Sequence, residues 1–157
     1  MLFAAFCLTV STATAQRSAT LEFSDFFVHP IGPRGLQPTA QLRAAAGHDV
    51  TLVGFMVQRE QAQPGRFQLA PRPVAMAEEA DGDADDLPAT TVTVLLPEGQ
   101  SDRIVSHRVG PVRLTGRLEY GPAEDATGRV TWLRLHLPPQ ALALMAAPAL
   151  PASSQGH

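Results

Sequence analysis

Val112, Leu114, Gly116, Leu118 and Tyr120 alternate with Arg113, Thr115, Arg117 and Glu119. A strict period of two puts every apolar residue on one face of a strand and every polar one on the other, which no helix does. The pattern recurs along the chain. From Asp49 to Val57, Val50, Leu52, Gly54 and Met56 share one face and Thr51, Val53, Phe55 and Val57 the other. Both faces are apolar, which predicts a strand buried on two sides, bent at Gly54 and covered outside by a helix or an aromatic arm. Phe67 and Leu69 begin a second strand that Pro71 and Pro73 end. Residues 89–96 are β-branched enough for a third, stopped by Pro97. Residues 112–120 are the fourth, Gly121 to Gly128 the hairpin, and Val130 to Leu137 the returning fifth.

Five short, glycine-interrupted strands with no helical core predict a mainly β fold. The expected form is a small five-stranded OB-like antiparallel barrel over residues 48–137, with one short helix before the first barrel strand. A β-sandwich is the rival, but it needs more strands than this segment offers. The helix is expected at 38–47, where Thr39 can cap it, the Ala run favours it and Gly47 suits its stop. Before it, Phe23, Phe26, Phe27 and Val28 form an arm within 16–47 that packs on the body. Residues 138–157 are Ala/Pro-rich, with two helical turns expected at Gln140 to Ala147 and a disordered tail beyond.

Residues 1–15 read as an export signal. An uncharged apolar run, Leu2 to Val10, is followed by Ala13-Thr14-Ala15, small residues at the two positions that a signal peptidase reads. The run is too short for a spanning helix, which needs about 20 apolar residues, so no membrane span is expected in the mature form. The lone cysteine, Cys7, falls inside this segment. A periplasmic or secreted chain from Gln16 onward would then contain no thiol, which excludes disulfides, thiolate metal sites and covalent haem attachment.

The net charge of −3 removes the broad electrostatic attraction on which nucleic-acid binding rests. All 12 basic residues are Arg, and Lys and Asn are absent. Biased codon usage accounts for that without invoking function.

The run Leu42-x4-Gly47-x2-Val50-x-Leu52-x-Gly54-Phe55-Met56-Val57 resembles the start of the domain in a family of small exported bacterial proteins of unknown function, where a Gly-Phe-Met-Val strand opens an OB-like β-domain. The strand Val112-x-Leu114-x-Gly116-x-Leu118 and the return Val130-x-Trp132 are similar too, so the resemblance spans residues 36–137. Gln58 stands where the family has Pro, and the family's downstream cysteines are missing. The genes of that family often accompany metal-ion transport genes, so the resemblance implies a metal-linked periplasmic role.

Three clusters are candidates for chemistry. The segment Glu78 to Asp86 holds six of the 15 acids, and Asp81, Asp83 and Asp85 alternate about Gly82. This reads as a solvated loop, as an oxygen-ligated site for a divalent cation, or as a docking surface for the arginines; EF-hand spacing is absent. The histidines 29, 48, 107, 136 and 157 show no zinc spacing. On the fifth strand, Thr131, Leu133, Leu135 and Leu137 form the core face, leaving Trp132, Arg134 and His136 in an outward row that Arg113 and Arg117 of the fourth strand can join. An aromatic beside cations on an open strand face holds anions or sugars by stacking and charge. The competing reading has Trp132 capping the barrel and the arginines paired with Glu119 or the acidic loop.

No P-loop, G-x-S-x-G or G-x-G-x-x-G motif is present. Ser106 and His107 are neighbours, whose side chains diverge in a strand and cannot form a nucleophile–base pair. The expectation is therefore a non-catalytic exported binding module without a cofactor, for a small anion, a metal ion or a partner protein. The alternative is an accessory part of a cell-envelope or metal-transport complex with no small ligand of its own.

Overall fold

The computed structural model describes residues 18–76, 78–79, 82–83, 87–125 and 128–146. The expected export signal with Cys7, the residues Asp81 and Asp85, and the tail from 147 lie outside the described residues.

In chain order the strands are β1 (Ala19–Thr20), β2 (Asp49–Met56), β3 (Gln58–Arg59), β4 (Arg66–Ala70), β5 (Ala75–Met76), β6 (Glu78–Glu79), β7 (Gly82–Asp83), β8 (Val92–Leu95), β9 (Pro111–Glu124) and β10 (Val130–His136). Two short helices, α1 (Ala40–Ala45) and α2 (Ala141–Ala146), and 3₁₀ turns at Phe23–Asp25 and Glu98–Gln100 complete the elements. The fold is mainly β, with one large sheet in the order β1-β2-β4-β8-β10-β9 and a further β2–β9 pairing. Strands β2, β4, β8, β9 and β10 fall where the alternation places them.

The sheet is mixed, whereas the sequence pattern predicts antiparallel strands throughout. β2–β4, β4–β8, β9–β10 and β2–β9 are antiparallel, but β8–β10 and β1–β2 are parallel. The long connection 96–110 carries the chain from β8 across to β2, so β9 pairs there first. Its hairpin partner β10 then returns beside β8 in the same direction. Parallel neighbours need such crossovers. Between β1 and β2 the crossover contains α1, which Thr39 caps by accepting from the Leu42 N–H at 3.0 Å. Gly47 sits at φ +83°, as the expected stop requires.

One main core lies on one face of the sheet: Val50, Leu52, Leu69, Val92, Val94, Leu114, Leu118, Leu133 and Leu135 are all at least 98% buried. The Phe arm lies within this core and does not cover the outside. Phe26 is fully buried, and the Phe23 ring lies where a Cβ on Gly54 would be, 2.8 Å away. Gly54 is thus needed for close approach of a ring and of the Ala70 carbonyl, also 2.8 Å from that Cβ. Along the outer face of β2 Thr51 is buried and Phe55 partly buried, and just past the strand Val57 joins Ala70 and Met76 in a small second cluster. Val53, expected to be buried, is 43% exposed.

β9 also runs further than expected, to Glu124, so the turn begins at Asp125, whose N–H donates to the Arg129 carbonyl at 2.9 Å. The register slips between Thr131 and Leu133, setting Gly121 and Pro122 opposite Trp132. A bulge is where a strand tolerates a proline, since the ladder has no place there for its missing N–H. Among the described residues no helix is long and apolar enough to cross a membrane.

Candidate functional site

The registers align outward-facing residues in rows across the sheet. Gln68 of β4 stands beside Thr93 of β8, Thr93 beside Arg134 of β10, and Arg134 beside Glu119 of β9. The next row holds Arg66, Leu95, His136, Arg117 and Asp49. Of the expected triplet of β10, Arg134 and His136 both reach Glu119 of β9, whereas Trp132 sits at the register shift against Tyr120.

Arg134 is only 6% exposed. Its Nε donates to Glu119 Oε2 at 3.0 Å, and Nη1 donates to the Gly121 carbonyl at 2.8 Å and the Thr131 carbonyl at 2.6 Å. The guanidinium therefore ties the β9 bulge to β10, and the expectation of an open cationic row is not met at its centre. The competing sequence reading, arginine paired with Glu119, describes this residue. His136 Nε2 lies 2.8 Å from the same Glu119 oxygen. Donation from Arg134 and then from His136 lowers the Glu119 pKa to about 2. Arg117 is exposed, cross-strand from His136 on one side and from Asp49 on the other. Arg113 is exposed too, but beside Val53 on the β2 side, away from Trp132.

Trp132 is 53% exposed, and its ring lies tilted against Tyr120 with centroids 6.2 Å apart. It does not cap the core. It lines a groove of about 200 Å³ across β4, β8 and β10, together with Gln68, Thr91, Thr93, Thr131, Leu87 and Arg129. Gln68 Oε1 accepts from Arg59 Nε at 3.1 Å, which orients the amide. The Thr91 hydroxyl is buried and has no hydrogen-bond partner among the described residues. Gln68, Thr91 and Thr93 were not singled out by the sequence reading. The signal was present, since Thr91 and Thr93 alternate with the core residues Val92 and Val94 and must point outward.

The acidic segment is described only in part. β6 and β7 pair antiparallel, Glu78 with Asp83 and Glu79 with Gly82. The cation site expected at Asp81, Asp83 and Asp85 lies mostly outside the described residues. Among those described, no three His, Cys, Asp or Glu side chains are grouped to hold a metal. His107 Nε2 lies 3.1 Å from the Met56 carbonyl.

No protein-family model and no curated protein matches the chain. Among solved structures it is similar to the crystal structure of a DUF3299 family protein from Pseudomonas aeruginosa PAO1, an uncharacterised bacterial family. The identity is 14%, over 76% of this chain and 92% of that one, with a TM-score of 0.44.

Proposed function

We propose that the chain is a non-catalytic binding module, exported to the periplasm or secreted, that holds its ligand on the outer face of β4, β8 and β10 beside Trp132. The proposed architecture is an OB-like barrel. Supporting it, the pairings return on themselves: β2 with β4, β4 with β8, β8 with β10, β10 with β9, and β9 with β2. OB domains bind on the face of their second and third strands, between the loops that follow the first and fourth. Those strands are β4 and β8 here, and the loops are 57–65 and 125–129.

The observation that carries the reading is the exposure of Trp132. A large ring left half in water beside polar side chains, while every other aromatic of the sheet and arm is partly or fully buried, is what a contact surface retains. The anion version of the reading loses Arg134 to Glu119 and keeps Arg117 at the margin.

The experiment uses the fact that Trp132 is the only tryptophan. Its emission and the melting temperature of the mature chain are followed with divalent cations, phosphate, sulfate and neutral sugars. A ligand of the native state raises the melting temperature, and one on this face also moves the emission. No response to any probe contradicts the reading.

The accessory reading has one observation in its favour. Val28, Ile31 and Leu36 are 48%, 58% and 39% exposed on the segment that Phe27 and Pro38 bridge, an apolar surface suited to a protein partner in the envelope.

A further inference from the structure

Resting on the reading of the Trp132 face as a binding surface, we propose that its groove takes one uncharged pyranose unit of a glycan.

Size comes first. At about 200 Å³ the groove is smaller than the roughly 300–1,000 Å³ of pockets for drug-sized ligands, so its occupant is a single ring. Charge comes second. Arg129 is the one cation among the lining residues and is already engaged, Arg134 is buried and held by Glu119 and two carbonyls, and Arg59, which bonds Gln68 through Nε, does not line the groove. Among the described residues, a phosphate or carboxylate would find no uncommitted cation lining the groove, and its desolvation would go uncompensated. Polar complement comes third. Apart from the engaged Arg129 and the indole N–H, the polar side chains of the lining that can meet a ligand are neutral, the Gln68 amide and the Thr93 and Thr131 hydroxyls, while the Thr91 hydroxyl is buried; amide and hydroxyls suit hydroxyl groups that both donate and accept. With Oε1 of Gln68 committed to Arg59, its amide N–H groups remain to donate.

The indole completes the match. A pyranose presents an apolar C–H face and a rim of hydroxyls. The half-exposed face of Trp132, steadied by Tyr120, suits the first, and the neutral row suits the second. A nucleobase would also stack, but the phosphates of a nucleic acid need a cationic track, and among the described residues the groove is lined by a single cation, Arg129, which is already engaged.

The test is a titration of the isotopically labelled mature chain followed by amide NMR. The probes are methyl glucoside, methyl galactoside, N-acetylglucosamine and maltose, with inorganic phosphate and a short oligothymidylate as the charged arms. The expected result is saturable movement of the resonances of Gln68, Thr93, Thr131 and Trp132 with at least one neutral sugar, at a Kd of about 1–10 mM, the range open to a ligand with few contacts. Trp132→Ala should weaken that sugar at least about tenfold and Gln68→Ala about fivefold, while Trp132→Phe retains part of the affinity and Ile104→Ser changes nothing. Native-like amide spectra of the variants separate loss of binding from loss of fold. Movement of these resonances with the oligothymidylate or phosphate but with no sugar overturns the pyranose assignment and leaves the face a binding surface. Silence with every probe overturns both.

Discussion

Arg113 and Arg134 sit on neighbouring strands, both at outward positions of the same alternation, and the structure treats them oppositely. At the seam between β9 and β10, Arg134 faces Glu119 and is 6% exposed, with three hydrogen bonds of 3.0 Å or less. At the seam between β2 and β9, Arg113 faces Val53 and stays in water. There the side-chain link is made instead by hydroxyls, Thr51 to Thr115 at 2.7 Å, and Thr51 extends it towards β1 through Ser18 at 2.8 Å. A side chain's role in a sheet is thus set by the residue across the ladder more than by its own type. One seam is closed by charge around a bulge, the other by neutral hydrogen bonds along a regular ladder.

The sharpest way to break this contrast is to remove the two arginines. Arg134→Ala strands two carbonyls and leaves Glu119 with His136 alone, and is expected to cost about 2–3 kcal/mol in urea unfolding, because charge-assisted hydrogen bonds are lost together. Arg113→Ala should stay within about 0.5 kcal/mol, as surface changes do. Equal losses would contradict the distinction.

Gly116 tests where the seams converge. It pairs with Val50 of β2, and a Cβ there would lie 2.5 Å from the His136 carbonyl of β10. Gly116→Ala should therefore destabilise by about 1–3 kcal/mol through forced separation of the strands. An unchanged unfolding midpoint would show that the ladder has slack.

The charged seam should respond to acid and the hydroxyl seam should not. Glu119 is held at about 2 in the folded chain, below its ordinary 4.5. Its contribution is then complete above pH 4.5 and disappears as pH falls from 4.5 towards 2, since the unfolded chain takes up the proton first. Glu119→Gln should flatten the pH dependence of stability in that window, whereas Thr115→Val should lower stability by about 1 kcal/mol equally at pH 3 and pH 7. A steeper acid dependence in the Glu119→Gln protein would reverse the assignment.

The smallest effect concerns the groove. Thr91→Val replaces a buried hydroxyl that has no partner among the described residues, so thermal melting should show no loss of stability and a gain of up to about 1 kcal/mol. A clear loss would mean that the hydroxyl is satisfied in solution.

Strand positions and inward faces were legible because alternation and burial share one cause: Val112, Leu114 and Leu118 are buried where the period of two puts them. The helix cap at Thr39 was legible for the same local reason. What depended on distant pairing was not. The parallel β8–β10 contact follows from the path of residues 96–110, which no local pattern encodes. The duty of Gly54 depends on Phe23, far away in sequence. In the candidate site, alternation alone puts Arg134 and His136 two residues apart within reach of Glu119, but the capture of Arg134 required the bulge that brings the Gly121 carbonyl within reach. Gln68 lay outside that reading because an isolated glutamine on a strand has no periodic signature of its own.

Acrylamide quenching of the Trp132 emission probes the surface on which the functional reading stands. The account predicts ready quenching in the free chain and marked protection once a saturating neutral sugar is present. An indole shielded from acrylamide in the free chain, or equally accessible under every probe, would contradict it.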